Sequence, residues 1–331
     1  MTYGPSLDID DLMEVSNRTK SFHVNFSNSR ILVLGGTGFL GSWLVESLLQ
    51  INKQSNLNVQ IHVPARNVSK LAHLSEKNLQ VYNHNFDSEQ FLGSKGNFDY
   101  IFHALTPTVS NNLDPVLSIT KLLLQDIEEW KSPPRLVHLS SGAVYPNSIA
   151  SLGPIAEQEV SLSTDLTRYG TLKWKLEKEI VSKTQSGVIN GISPRLFAFA
   201  GPRVPLDAHF AIGNFMSQGI HGKDILVRGN SNTVRSYLHP VDAVIWLLKS
   251  AVIKENGLLH IGSENGFPMA TIAEKVARIF DVNTILGGNE QEASIYYPNN
   301  SLTRKTLDCS EEIDLDNAII RWKKWIHLSF R

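Results

Sequence analysis

An α/β fold built on a doubly wound parallel sheet is predicted by three observations on this 331-residue chain. Short apolar runs, each about the length of one strand, alternate with longer segments whose apolar residues recur at helical spacing. A glycine-rich turn lies between the first run and the first helical segment. The alternation gives way to irregular stretches after Pro194. These features predict a parallel sheet with helices on both faces, followed by a smaller C-terminal domain.

The predicted elements follow one another without an internal repeat. "RILVLGG", which starts at Arg30, is the first strand, and the helix "FLGSWLVESLLQI" comes directly after it. Later strands are predicted at "VQIHVPAR", "LQVYNHN", "DYIFHAL" and "RLVHLSS", with the helix "DPVLSITKLLLQDIEEW" before the last of them. We divide the chain into a polar N-terminal lead-in with room for one short helix (1–29), a sheet domain (30–195 plus 237–263) and a smaller domain (196–236 plus 264–331).

Composition excludes several classes of protein. Hydrophobic residues make up 42% of the chain and charged residues 19%, as in ordinary globular domains. The net charge of −1 gives no reason to expect a nucleic acid or a membrane surface as a partner. Cys309 is the single cysteine, which excludes an internal disulfide and a cysteine-based zinc site, and we expect no metal. The acidic N-terminus and the lack of an apolar run near ~20 residues predict a cytoplasmic protein.

The turn after the first strand, "LVLGGTGFLGSWL", places Gly35, Gly38 and Gly41 at intervals of three residues. In such a turn the first glycine permits a tight bend, the second lets the backbone approach a pyrophosphate, and the third allows close packing of helix on strand. The helix N-terminus that follows offers N–H groups and a positive dipole end. The turn therefore predicts a Rossmann-type site for a nucleotide cofactor. The other residues expected to line it are Thr37, Phe39 and Leu40.

The end of the second predicted strand bears on the choice between NAD and NADP. An acidic residue there would bind the ribose 2′-hydroxyl of NAD. No Asp or Glu occurs between Glu46 and Glu76, and the strand ends in Arg66, whose guanidinium is suited to a 2′-phosphate. We therefore expect an NAD(P) cofactor, with NADP favoured over NAD. The alternative is that Arg66 is an ordinary loop residue.

"TRYGTLKWKLEKEI" places Tyr169 and Lys173 four residues apart, on one face of a helix. A free tyrosine has a pKa of about 10, which is too high for a base near neutrality. The ammonium of Lys173 and the positive charge of an oxidised nicotinamide are expected to lower that pKa. Tyr169 would then exchange a proton with a substrate oxygen while hydride moves at the same carbon, and a serine hydroxyl would hold that oxygen.

The glycine turn, the tyrosine–lysine pair and the serine of "LSSGAVY" together resemble the extended short-chain dehydrogenase/reductase family, and within it the NAD-dependent epimerase/dehydratase group that acts on nucleotide sugars. The resemblance covers nearly the whole chain. It implies that Ser141, four residues before Tyr145, is the catalytic serine beside Tyr169 and Lys173. Ser140 is then a structural residue of the strand.

The same resemblance implies partners and an assembly. A nucleotide-diphosphate sugar is the expected substrate, held by the smaller domain (196–236 plus 264–331). A homodimer is expected through the helices around 112–130 and 166–183. Leu172, Leu176 and Ile180 either contribute apolar contacts to that interface or are buried within the monomer.

Two further segments extend the resemblance on the cofactor side. "HNFDSEQF" resembles the loop that touches adenine, with Asn85 in place of the usual Asp. Ala104, in "HAL", corresponds to the end of the fourth strand, which lines the cofactor. His103 and His239 are interpreted as packed structural histidines rather than general bases.

On the substrate side, "GNSNTVRSYLHPVDAV" resembles the segment whose arginine binds the diphosphate of the nucleotide sugar, and Arg235 holds that position. Arg203, in "FAGPRVP", is a second candidate for contact with the anion. A substrate-binding asparagine of the family is replaced here by Ala198, and Asn214 is the predicted substitute.

The two residues that directly follow the expected catalytic serine limit the reactions that this site can catalyse. Nucleotide-sugar 4,6-dehydratases of the resembled family carry Asp-Glu there, and decarboxylases usually keep a Glu nearby, whereas this chain has Gly142 and Ala143. Neither side chain transfers a proton. The remaining residues support hydride exchange at the sugar C4, as a 4-epimerase or a 4-ketoreductase. The alternatives are a dehydratase or decarboxylase of the same family and a non-catalytic NAD(P)-binding sensor.

Overall fold

Six strands of the described chain form one parallel sheet in the computed structural model, which describes residues 6–84, 96–106, 114–150, 153–158, 160, 163–206, 210–287 and 292–329. The strands are, in chain order, β1 (Arg30–Leu34), β2 (Gln60–Ala65), β3 (Leu79–Asn83), β4 (Tyr100–His103), β5 (Arg135–His138), β6 (Ser140–Ser141), β7 (Asn190–Ile192), β8 (Arg195–Leu196), β9 (Ile225–Val227), β10 (Val234–Arg235), β11 (His260–Ile261), β12 (Phe267–Pro268), β13 (Thr284–Leu286) and β14 (Ile295–Tyr296).

Helices connect and flank these strands. They are α1 (Ile9–Thr19), α2 (Phe39–Ser55), α3 (Asp114–Glu128), α4 (Asn147–Ala150), α5 (Arg168–Gln185), α6 (Ala211–Ile220), α7 (Pro240–Val252), α8 (Met269–Phe280), α9 (Ser301–Leu307) and α10 (Leu315–Ser329), with 3₁₀ helices at Lys20–Phe26, Val68–Leu71 and Gly142–Val144. Of the helices described, none combines the length and the apolar character needed to cross a bilayer.

The large sheet has the strand order β3-β2-β1-β4-β5-β7, and every neighbouring pair is parallel. The chain moves outward from β1 to β3 and then returns to β4 on the other side of β1. In doubly wound sheets a ligand crevice opens at the carboxyl ends of the two strands where the order reverses. The predicted α/β fold with a doubly wound parallel sheet is confirmed, and its switch point lies between β1 and β4.

On one face of this sheet, apolar residues that alternate along a strand pack against apolar residues at helical spacing. Leu32 and Leu34 lie two residues apart, and so on the same face of β1. They join a buried cluster with Ile119 and Leu123 of α3 and Ile180 of α5. Burial of each such side chain contributes about 1.5–3 kcal/mol to folding. Packing against β1 thus holds α5, the helix that carries Tyr169, on the sheet.

Two compact units divide the chain. The first contains the described residues within Met1–Tyr145, Glu159–Leu196 and Val244–Leu259, and the second those within Pro146–Gln158, Phe197–Ala243 and His260–Arg331. In the second unit β10 pairs with β12 and β14, and β9 pairs with β13. In this division the lead-in groups with the first unit and residues 146–158 group with the second. The domain boundaries drawn from the sequence stay a prediction.

The N-terminal lead-in is more than a polar extension. Helix α1 packs on α2, and the Leu7 N–H donates a hydrogen bond of 2.9 Å to Oε2 of the buried Glu46. Leu12, Val15 and Phe26 are buried. Their burial was not predicted, because the segment is mostly polar and only a few apolar residues are needed to form one apolar helix face.

Candidate active site

The glycine turn lies at the switch point of the sheet. Gly35 has a φ of 77°, a conformation that other residues rarely adopt, and a Cβ at this position would lie 2.6 Å from the Ala104 carbonyl oxygen at the end of β4. The Gly38 N–H donates to the Gly35 carbonyl at 2.8 Å. A Cβ on Gly41 would overlap that same carbonyl. The backbone therefore closes on itself here only because Gly35 and Gly41 have no side chains.

The first turn of α2 is available for an anion. The helix begins after Gly38, which as N-cap has no side-chain oxygen to offer to the first N–H groups. The first backbone hydrogen bond of the helix runs from the Ser42 N–H to the Gly38 carbonyl. The N–H groups of Leu40 and Gly41 therefore come before the first regular helical hydrogen bond. Thr37 and Phe39 are half-buried beside this turn. The cradle fits a pyrophosphate, as the sequence predicted; that these residues bind a cofactor stays a prediction.

The choice between NAD and NADP involves the end of β2. Arg66 directly follows this strand and is exposed. No carboxylate occupies this strand end among the described residues that follow, up to Glu76. Asn85, the predicted adenine contact, lies outside the described residues.

The structure brings Ser141, Tyr169 and Lys173 together in the first unit. Ser141 ends β6, which pairs in parallel with β8, and its Oγ accepts the Ala143 N–H at 3.1 Å. The Tyr169 side chain forms a hydrogen bond with Ser141. One residue later, Gly170 makes this approach possible, because a Cβ there would overlap the Ala143 carbonyl oxygen. A strand end and the first turn of α5 thus meet at the predicted catalytic residues.

The ionisation of Tyr169 differs from the sequence-based expectation. Burial raises the pKa of the phenol above its usual value, and the hydrogen bond with Ser141 opposes this effect only in part. The Lys173 Nζ lies 5.9 Å from the centre of the tyrosine ring. The expected lowering is therefore not achieved by the protein alone, because the loss of hydration outweighs the hydrogen bond with Ser141. The phenol is protonated at neutral pH.

Lys173 is buried, with 1% of its surface exposed. Its Nζ donates to the Leu139 carbonyl at 2.7 Å and to the Leu105 carbonyl at 3.4 Å. Burial lowers the pKa of this ammonium to about 8, and the charge of Glu177 opposes that shift. The lysine is therefore fixed at the carboxyl ends of β4 and β5, next to Tyr169.

Two buried histidines lie behind this site. Thr120 Oγ1 donates to the Val116 carbonyl, so it accepts a hydrogen bond from His103 Nε2 at 2.9 Å. The Nδ1 atoms of His103 and His138 are 3.1 Å apart, and in this arrangement His138 is the donor. Burial lowers the pKa of His103 to about 3 and that of His138 well below its usual value, with a smaller contribution from the charge of Lys173. Both rings are neutral, which fits the structural role predicted for His103.

Sequence analysis missed a buried ion pair beside the site. Glu177 accepts hydrogen bonds from Arg195 Nε at 3.0 Å and Nη2 at 2.8 Å, and from Ser140 Oγ at 2.5 Å. Arg195 Nη1 donates to the Tyr145 hydroxyl at 2.8 Å. The spacing of Glu177, four residues after Lys173, was the available signal, since it places both side chains on one helix face. Nothing in the sequence marked Arg195 as the partner.

The predicted substrate-binding residues other than Ser141 belong to the second unit. Arg235 donates from Nη1 to the carbonyls of Val234 (2.8 Å) and Ser294 (3.1 Å), and its guanidinium lies 5.8 Å from the centre of the Tyr296 ring. Arg203 is buried and has a φ of 70°, whereas Asn214 is exposed on α6. Their roles in substrate binding stay predictions. In the same unit His239 is fully buried and its Nδ1 accepts the Val241 N–H, as a structural histidine does.

The two adjacent serines provide a matched pair of variants. We expect Ser141→Ala to lower kcat roughly ten- to hundredfold, because a hydrogen bond to a charged oxygen contributes about 1.5–3 kcal/mol. Ser140→Ala removes a bond to the buried Glu177 and should lower the free energy of unfolding by about 1–3 kcal/mol. Steady-state kinetics and urea unfolding of both variants test this. Equal effects of the two substitutions on both measurements would show that the functional serine has been assigned wrongly.

The chain is similar in sequence to known enzymes that act on nucleotide sugars. Residues 31–261 match the sequence profile of the NAD dependent epimerase/dehydratase family. UDP-glucuronic acid decarboxylase 6 from Arabidopsis thaliana is 24% identical over 266 residues, which cover 76% of this chain and 75% of that protein. UDP-glucose 4-epimerase from Mycoplasma pneumoniae is 25% identical over 284 residues, covering 77% of this chain and 82% of that protein.

A solved structure is similar over most of the fold. The dTDP-glucose 4,6-dehydratase from Bacillus anthracis, in complex with NAD, has a TM-score of 0.77 at 17% identity, and the match covers 91% of this chain and 97% of that chain. At this identity the likeness concerns the fold. The sequence profile spans more than half of the chain and contains both the glycine turn and the Tyr169–Lys173 pair. The resemblance seen in the sequence is confirmed, and the chain belongs to the NAD dependent epimerase/dehydratase family of enzymes.

Proposed function

We propose that this chain exchanges a hydride and a proton at C4 of a nucleotide-diphosphate sugar, as a 4-epimerase or a 4-ketoreductase. The observation that carries this proposal is the meeting of Ser141, Tyr169 and Lys173 beside a segment whose next two residues, Gly142 and Ala143, carry no acid. This set can move a proton at one alcohol or ketone oxygen. It has no second proton-transfer group in the segment for the elimination of water.

Ser141, Tyr169 and Lys173 have different roles at a single substrate oxygen. Ser141 Oγ accepts the Ala143 N–H and retains its own O–H as a donor. Tyr169 gives a proton to that oxygen or takes one from it, and the Lys173 ammonium stabilises the phenolate that remains after donation. A bound nicotinamide supplies the hydride exchange at the adjoining carbon. Because burial holds the Tyr169 phenol protonated, the site rests in the protonation state from which reduction of a ketone begins.

A decarboxylase is the second candidate, since UDP-glucuronic acid decarboxylase 6 from Arabidopsis thaliana shares 24% identity with the chain. Decarboxylation of a nucleotide-linked uronic acid also begins with oxidation at C4, which the same three residues support. The two candidates therefore share their first step and differ in what the sugar loses afterwards.

Product analysis distinguishes these functions. The purified protein is incubated with UDP- and dTDP-hexoses, their 4-keto derivatives or UDP-glucuronic acid, in the presence of NAD⁺ or NADPH, and products are examined by mass spectrometry and NMR. We expect either inversion at C4 with unchanged mass or the gain of two hydrogens at C4. Loss of carbon dioxide from UDP-glucuronic acid would assign the decarboxylase, and loss of water the dehydratase. Tight NAD(P) binding without turnover of any of these sugars would indicate a sensor.

For the cofactor we propose NADP over NAD, on the basis of the exposed Arg66 and the absence of a carboxylate among the described residues that follow β2 up to Glu76. Arg66→Ala should weaken NADPH binding roughly tenfold or more, because a charge-assisted bond contributes about 1.5–3 kcal/mol, and should leave NADH binding unchanged. Nicotinamide fluorescence measures both affinities. Lys70→Ala, in the 3₁₀ helix Val68–Leu71 that follows Arg66, is the matched control. A wild-type protein that binds NADH more tightly than NADPH contradicts the preference.

We also propose a homodimer through α3 and α5. Leu172 and Leu176 are buried against Val116 within the unit, so they are not available to a partner. Val181 is exposed on α5 and is the apolar residue that a partner could cover. Light scattering should give twice the chain mass, and Val181→Glu should give a monomer, whereas Val24→Glu, on the exposed N-terminal 3₁₀ helix, should not. A monomeric wild-type protein would refute this assembly.

A further inference from the structure

Side chains on one face of α5 form hydrogen bonds with three consecutive residues, 139–141, of the segment that carries the proposed catalytic serine. Tyr169, Lys173 and Glu177 are spaced four residues apart, and therefore lie along one face of the helix. Tyr169 bonds to Ser141, the ammonium of Lys173 to the Leu139 carbonyl, and the carboxylate of Glu177 to the Ser140 hydroxyl. We name this arrangement the 139–141 ladder. Two of its three rungs contain the proposed catalytic groups.

The third rung is the most strongly anchored. Arg195 is fully buried, and its guanidinium donates from Nε and Nη2 to the two carboxylate oxygens of Glu177. Its remaining arm reaches the Tyr145 hydroxyl, and its Cζ lies 4.8 Å from the centre of that ring. The ion pair therefore ties α5 to both ends of the segment from residue 139 to residue 145. Such bidentate pairing restricts orientation as well as distance.

The carboxylate of Glu177 also affects the protonation of Lys173. His103 and His138 face the lysine from β4 and β5, and both are neutral because of their burial. Tyr169 on the same helix is protonated at neutral pH because burial raises its pKa. In the described part of the chain, Glu177 is the charged group that favours the ammonium form of Lys173. Without its carboxylate, burial alone would determine the proton occupancy of this lysine.

We propose that Glu177 is a positioning residue: held by Arg195 and Ser140, it fixes the 139–141 ladder and supplies the negative charge that faces the Lys173 ammonium. For its effect on turnover this inference rests on the proposed function, which needs a charged lysine beside Tyr169. Its effect on Lys173 itself is independent of any substrate.

NMR of protein labelled with ¹⁵N at the lysine Nζ tests this without substrate or cofactor. The Lys173 signal is assigned from its loss in Lys173→Met, and its shift is followed against pH. We expect Glu177→Gln to lower the pKa of Lys173 by about one unit or more, since an opposite charge nearby shifts a pKa by roughly 1–3 units. Glu179→Gln is the matched control, because Glu179 lies on the same helix, is partly exposed and pairs with Lys121. It should leave the titration unchanged.

A second variant guards against unfolding caused by an unpaired Arg195. Glu177→Gln combined with Arg195→Met removes both charges of the pair and should lower the Lys173 pKa by less than Glu177→Gln alone, because the guanidinium that opposes the carboxylate is lost as well. An unchanged Lys173 titration in either folded variant, with a wild-type circular dichroism spectrum, would overturn the proposal. If the wild type turns over nucleotide sugars, the alkaline limb of its kcat profile should move to lower pH in these variants. If it turns over none, the proposed function fails while the NMR result still decides the role of Glu177.

Discussion

Tyr169→Phe is expected to lower kcat with the nucleotide sugar by about 10²- to 10⁴-fold, the usual contribution of a positioned acid or base. The substitution removes the phenol oxygen that bonds to Ser141 and keeps the ring that lies beside Lys173. Cofactor affinity should remain near that of the wild type, since the glycine turn is untouched. Steady-state kinetics together with a titration of NADPH fluorescence measure the two effects separately.

Tyr100→Phe is the matched control for this substitution. It removes a phenol hydroxyl in the same unit, at the amino end of β4, where Tyr100 donates to the Asn25 carbonyl at 2.8 Å. The loss of this bond should cost about 1 kcal/mol of stability and leave kcat unchanged. Turnover by Tyr169→Phe at the wild-type rate would mean that another group moves the proton, and the role proposed for Tyr169 would be wrong.

Arg195→Met is expected to have the largest effect on stability. It leaves the Glu177 carboxylate buried with the Ser140 hydroxyl and without its ion pair, and removal of one partner of a buried pair costs about 3–5 kcal/mol. The Tyr145 hydroxyl loses its donor as well. Urea unfolding followed by tryptophan fluorescence should show a clear fall in the midpoint.

The double variant Glu177→Gln and Arg195→Met provides the control. Removing both charges leaves no uncompensated charge buried, which is the main cost of removing one partner alone. The double variant should therefore recover most of the midpoint lost by Arg195→Met alone. A single variant as stable as the wild type would show that the carboxylate reaches water, contrary to the burial of Glu177 in the structure.

Local pattern was sufficient for most of the sheet and for the central part of the site. The glycine spacing between β1 and α2 and the four-residue spacing of Tyr169 and Lys173 are both properties of short segments, so they can be read without knowledge of tertiary structure. The distinction between Ser140 and Ser141 came instead from the resemblance to the family's serine–tyrosine segment. The structure adds the physical reason, because Ser140 bonds to Glu177 and Ser141 to Tyr169.

Long-range pairing could not be read in the same way. Arg195 follows a Pro in an apolar strand and gives no sign that it is buried against a carboxylate eighteen positions earlier in the chain. The direction of the Tyr169 pKa was also inaccessible, because it depends on how much water the folded chain removes from the phenol. Both failures arise from burial, which is a property of the whole fold.

The packing of α1 on α2 has a consequence for where this fold begins. The family match starts at residue 31, yet Leu12 and Val15 are buried and Leu7 bonds to Glu46 on the helix that starts at the glycine turn. A piece of the chain trimmed to the family match would expose the flank of α2 to water. We therefore expect a stably folding piece of this chain to need the segment from Leu7, which precedes the start of the homologous region at residue 31.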